Sequence, residues 1–251
     1  MEQNVKKNGW VSALIIGLSV MVSCACIAFG LAHFRSESVH TISATGSASV
    51  DFESDLAIWR GSFSASAYTS QTAYDKIKKD AGLVKKYLTS NGLDESEIVF
   101  NSVDISKNFR DLYDENGNYT GQEFAGYSLT QSVVITSKDL DKVDKISRDI
   151  SSLLDQDVEF TSDSPEYYYT GLDELKLDLI DRASKNARER IDIIAKNSDA
   201  KLGKLMNSSL GVFQITAQNS GTSSYSYDGA FNTSSRSKTA TITVKLEYDL
   251  K

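Results

Sequence analysis

Leu56-Ala-Ile-Trp-Arg-Gly-Ser-Phe-Ser-Ala-Ser-Ala67 is the stretch that decides the fold. Ala57, Trp59, Gly61, Phe63, Ala65 and Ala67 fall on one face of an extended chain, and Arg60, Ser62, Ser64 and Ser66 on the other. Strict period-two alternation with one wet side marks a strand of an antiparallel sheet that is solvated on one face. A helix does not repeat every two residues, so this segment cannot be read as one.

Upstream, Ile42 to Val50 reads as a strand of small residues with Gly46 at its centre, where a bulge or a close backbone approach is expected. Downstream, Thr69 or Ser70 caps a helix to about Ser90 with Tyr74, Ile77, Ala81, Val84, Tyr87 and Leu88 as its apolar stripe. Lys76, Lys78, Lys79, Lys85 and Lys86 stud the rest, as a solvated face or a basic docking face, and Asn91-Gly92 ends the helix. Strands over 98–109 and 119–136 flank Asn116-Gly117, the strongest short hairpin signal. Asp111, Asp114 and Glu115 at that tip lack the spacing and terminal Glu of a calcium loop.

A second helix is expected from about Asp139 to Leu154, with Ser137 as its cap, then a short strand over 158–162. Thr170-Gly-Leu-Asp173 reads as a capping box that opens the longest helix of the domain, to about Asn197. Leu172, Leu175, Leu179, Ala183, Ala187, Ile191 and Ile194 form its stripe, and the small Ala183 and Ala187 admit another backbone. A strand over 204–217 follows. Residues 218–238 are rich in Ser, Thr, Gly, Asn and Tyr without apolar period, which predicts a flexible loop. Thr239 to Leu250 alternates without fault and closes the domain.

Ahead of all this, Val11 to Ala32 carries no charge and spans roughly 30 Å as a helix, the thickness of a bilayer core. It fits a membrane anchor or a signal segment. Lys6 and Lys7 before it predict a cytoplasmic N-terminus with the rest extracytoplasmic; cleavage near Ala32 would instead release a periplasmic or secreted protein. The expected organisation is a tail over 1–10, the anchor or signal segment over 11–32, a stalk over 33–40 and one domain over 41–251. That domain is α+β, mainly antiparallel sheet with three helices packed on it.

Composition excludes more than it assigns. A net charge of -7 leaves no electrostatic footprint for nucleic acid. Both cysteines, Cys24 and Cys26, lie in the apolar run, so the domain depends on its hydrophobic core. The two histidines, His33 and His40, sit beside that run, which takes the commonest general base and metal ligand out of the folded part. No Gly-x-Ser-x-Gly elbow and no phosphate-binding glycine loop occurs, although a Ser-Lys pair stays open. The expectation is a non-enzyme without cofactor or metal. Tyr167, Tyr168 and Tyr169, with Tyr225, Tyr227 and Phe231 of the loop, are the candidate interaction residues, for packing against a partner or for an unidentified ligand such as a glycan.

Four stretches together resemble a known family: Ile42-Ser-Ala-Thr-Gly46; Asn91-Gly-Leu-Asp-Glu-Ser-Glu-Ile98; Gly126-Tyr127 with Ser132-Val-Val-Ile-Thr136 and Asp139-Leu-Asp-Lys142; and Ala183 to Ala195 followed by Lys201-Leu-Gly203. Their order and spacing are similar to the SIMPL domain, whose bacterial members include periplasmic and outer-membrane-associated immunogenic proteins. The resemblance implies an α+β fold, an extracytoplasmic place, assembly into homo-oligomers and a link with envelope stress, and it carries over no catalytic residue. This chain departs from the pattern by an N-terminal anchor that is retained and by a serine-rich loop before the last strand.

Overall fold

A computed structural model describes residues 9–34, 40–221 and 226–251. Helix α1 (Gly9–Phe34) is the apolar run. It is followed by β1 (Thr41–Glu53), β2 (Leu56–Ala67), α2 (Ser70–Ser90), β3 (Ile98–Tyr113), β4 (Tyr119–Ser137), α3 (Leu140–Asp149), β5 (Glu159–Ser162), β6 (Glu166–Tyr168), α4 (Leu172–Asn197), β7 (Leu202–Leu210), β8 (Gln214–Ala217) and β9 (Ser237–Leu250). The architecture is α+β, with three helices besides α1. The strands form two sheets, one in the order β3-β4-β2-β5 with β6 also on β2, the other β1-β9-β7 with β8 on β9. The chain divides into two compact units, residues 45–187 with 209–245, and residues 1–44 with 188–208 and 246–251.

In the larger unit, β2 lies between β4 and β5, all antiparallel, with β2 running from Ala57 opposite Ser137 to Ala67 opposite Tyr127. Its inner face buries Ala57, Trp59, Phe63 and Ala65 against Ile77, Val84 and Leu88 of α2 and Val143 and Ile146 of α3. Gly61 leaves room for the ring of Phe160 from β5, which stacks between Trp59 and Phe63 at 5.8 and 6.2 Å. Such paired rings add about 0.5–1.5 kcal/mol beyond their burial.

Helix α2 matches its expected bounds, with the Thr69 hydroxyl accepting from Thr72 N. Its inner stripe is Ala73, Ile77, Asp80, Val84 and Leu88, so Tyr74 points outward. Helix α3 is capped by Asp139, whose own N–H donates to Ser137 Oγ, and it tightens into a 3₁₀ turn over Ile150–Gln156. The expected strand over 204–217 is two strands, because the chain turns at Gly211, whose N–H donates to Thr243 O.

The box at Thr170 does not form. Thr170 N and Oγ1 both donate to the Asp55 carboxylate, at 2.8 and 2.6 Å, which anchors the chain entering α4 to the turn between β1 and β2. Along α4, Leu179, Ala183, Ala187, Ile191 and Ala195 are buried and Ile194 is exposed. Within the larger unit, Ala183 and Ala187 admit the backbone of β1 at Gly46, and Ser47 N donates to Asn186 Oδ1.

The smaller unit holds α1, whose apolar residues Trp10–Gly30 are long enough to cross a membrane and wholly unburied. It also ties the C-terminus down: Leu250 N donates to His40 O, Lys251 N to Lys201 O, and Arg188 lies 4.5 Å over the Tyr248 ring.

Candidate functional site

The three consecutive tyrosines do not share a face. β6 pairs with β2 through Ala57 opposite Tyr167, and strand alternation sends Tyr167 inward and its neighbours outward. Tyr167 is 8 % exposed, and its hydroxyl donates to Asp144 Oδ1 of α3. Burial first, then that hydrogen bond, pushes its pKa up to about 12. Tyr167 is therefore a core residue, and Tyr167→Phe is expected to cost about 1–2 kcal/mol, a fall in melting temperature of about 2–8 °C measurable by circular dichroism.

Tyr168 faces out beside Phe231, with ring centroids 6.3 Å apart, and its hydroxyl donates to Glu166, which pairs with Arg60 at 2.5 Å. Tyr169 packs on Phe52 instead, at 5.0 Å. Tyr227 is 95 % exposed, and Tyr225 lies outside the described residues. Of the six candidates, then, only Tyr168 and Phe231 come together among those described.

The segment around Phe231 is pinned by side chains that its composition conceals. Gln214 Oε1 accepts from Ser226 N and Ala230 N, while its Nε2 donates to Ser226 O. Phe231 makes a parallel bridge to Ile215. Lys238, 2 % exposed, donates its ammonium to Tyr167 O at 2.6 Å and Asn232 O at 2.5 Å. Burial pushes its pKa down to about 8. Arg236 pairs with Asp141 at 2.6 Å and Asp144 at 3.3 Å.

Two concave spaces lie among the described residues. The larger, about 800 Å³, is an open charged cleft among Ser54, Asp55, Lys138, Asp139, Asp141 and Arg236. The smaller, about 210 Å³ beside Phe231, is below the usual 300–1,000 Å³ of a ligand site.

A different feature dominates the surface. Strands β3 and β4 pair from Ile98–Ile135 out to Tyr113–Tyr119, but β4 pairs with β2 only as far as Tyr127. Residues 108–126 therefore project as a two-stranded ribbon. Tyr127, half-buried against the core, touches Phe124, and Phe124 meets Phe109 and Tyr68 edge-on. Further out Tyr113 and Tyr119 pair at 6.1 Å. Phe109, Tyr113, Tyr119 and Tyr68 are all more than half exposed. At the tip, Asp114 Oδ1 accepts from Asn116 N and Asn118 N and Gly117 takes φ +81°, so this carboxylate builds the turn, and those bonds hold its pKa down. In the sequence only the Asn116-Gly117 hairpin and the aromatic residues on its two arms, Phe109, Tyr113, Tyr119 and Phe124, signalled this surface.

An α+β domain of antiparallel sheets, in a chain with one N-terminal apolar helix long enough to cross a membrane, is compatible with a membrane-anchored protein or one with a signal segment. The chain belongs to the SIMPL family, described as a protein of unknown function (DUF541), which it matches over residues 42–248. No curated protein matches it.

Proposed function

We propose that this chain is a non-enzymatic SIMPL-domain protein, held in the membrane by α1 with its C-terminal domain extracytoplasmic, that associates with copies of itself at the cell envelope. The observation that carries this is the β3–β4 ribbon. A two-stranded hairpin alone is at best marginal in water, and this one adds exposed rings along its length. Covering contiguous apolar surface is the usual reason for keeping it. An envelope-stress role, which the family resemblance implies, is compatible with such an assembly.

Light scattering of the full chain in neutral detergent tests the association. The expected mass exceeds one 27.6 kDa protomer, after subtraction of the micelle, and falls on dilution. A single-protomer mass up to about 100 μM, far above the Kd of a stable association, defeats the reading. A second reading, a ligand-binding ectodomain for glycan or cell-wall fragments, draws on Phe231, 53 % exposed beside Tyr168.

A further inference from the structure

We propose that the acidic, tyrosine-bearing tip of the β3–β4 ribbon of one copy seats on the lysine-bearing outer face of α2 on the next copy. This rests on the self-association proposed above and names its two surfaces.

The two surfaces are complementary in charge. Between residues 111 and 123 the tip carries Asp111, Asp114, Glu115 and Glu123 and no lysine or arginine. Only one intrachain ion pair reaches it among the described residues, from Arg110 to Glu123. On α2, Lys76 is spent on Asp157 and Lys85 on Glu95. Lys78, Lys79 and Lys86 are exposed, and no ion pair holds them among the described residues. No ion pair joins the two surfaces among the described residues.

Gly82 is the second observation. It sits inside α2, one turn from Lys78 and Lys79 on one side and from Lys85 and Lys86 on the other. A glycine there costs the helix about 1 kcal/mol relative to alanine. A side chain at 82 would meet nothing within the chain, so no internal packing requires its absence. What it leaves is a shallow seat of bare helix backbone ringed by ammonium groups. An aromatic ring from the tip, Tyr113 or Tyr119, fits such a seat and gains from the surrounding cations. An anionic lipid surface is the other occupant the lysines would suit. The chain's net charge of -7 disfavours it, and lipid offers nothing for the seat at Gly82.

Because the two surfaces differ, the contact is head-to-tail, and repetition gives a ring where the rotation closes. Charge reversal tests it in the full chain in neutral detergent. Lys78→Glu with Lys79→Glu and Lys86→Glu, or Asp111→Lys with Glu115→Lys, each raises the concentration at half-dissociation at least about tenfold, and both sets in one chain restore it to within about threefold. All these side chains are exposed, so an unchanged melting temperature shows that the variants fold. Unchanged association in either variant, or no rescue on combination, overturns the surface assignment while self-association stands. A reversal that alters only dependence on anionic lipid in nanodiscs gives α2 to the membrane and also overturns it. A wild-type chain that never associates overturns both readings.

Discussion

Gly46→Ala lowers the melting temperature of the domain by about 4–10 °C. Strand β1 crosses α4 here, and a Cβ at position 46 would lie 2.7 Å from Ala187 Cα and closer still to Ala187 N and Ala183 O. The obstacle is helix backbone, so no rotamer change relieves it. Overpacked cores lose about 1–3 kcal/mol, with the upper end reached when the neighbour is rigid. Against this, removing a strand glycine recovers about 0.5–1 kcal/mol of backbone entropy. The clash therefore wins, and the strand must move off the helix, stretching the bond from Ser47 N to Asn186 Oδ1 at 3.2 Å. Ser47→Ala is the control: the bond comes from the backbone and the side chain is exposed, so stability holds. Thermal melts of the two variants side by side check this, and a melt unchanged by Gly46→Ala would mean that β1 stands clear of α4.

That crossing also shows which parts of the molecule were legible beforehand. Gly46 amid small strand residues and Ala183 with Ala187 on the long helix each announced a close approach, though neither named the other. β2, α2 and the hairpin at Asn116-Gly117 were readable because their signals are local: period two, period 3.6 and a turn that demands positive φ. Failures came where a distant residue outbid the local pattern. Thr170 has the sequence of a capping box, but Asp55 takes both its donors. On α2 the buried face takes in Ala73 and Asp80 and leaves Tyr74 exposed, since which flank of a stripe is covered depends on the sheet it packs against. Three tyrosines in a row looked like one platform, and pairing of β6 with β2 split them between core and surface. The fixing of 226–238 was invisible for the same reason: its partners are Gln214 and Tyr167, and glycine, serine and asparagine composition says nothing of them. The ribbon was visible as a hairpin, but not that β2 would stop at Tyr127's level and leave its outer half alone.

The stability of wild type relative to Lys238→Met rises by about 2 kcal/mol between pH 8 and pH 10. Lys238 is buried with carbonyls as its only polar partners, Tyr167 O and Asn232 O, and no carboxylate pairs with it among the described residues. Two carbonyls favour the ammonium, but loss of water disfavours it more, and the balance holds its pKa down to about 8. The unfolded chain keeps lysine near 10.4, its ordinary value. Below pH 8 both states carry the proton and the group adds no slope. Above pH 8 the native lysine gives its proton up while the unfolded one retains it. The unfolded state then binds more protons, and stability grows by at most about 1.4 kcal/mol per pH unit. The sign is opposite to that of a salt-bridged lysine. The rise levels off near pH 10.4, where the unfolded lysine gives up its proton too; in the wild type alone, buried Tyr167, which keeps its proton to about 12, pulls stability down from about pH 10. Methionine at 238 fills similar volume without a titrating group, so subtracting its denaturation free energy from the wild type's cancels the other tyrosines and lysines. A flat difference across that range would mean that water reaches the ammonium and that residues 226–238 are not closed over it. A rising one fixes that segment to β6 through one buried nitrogen.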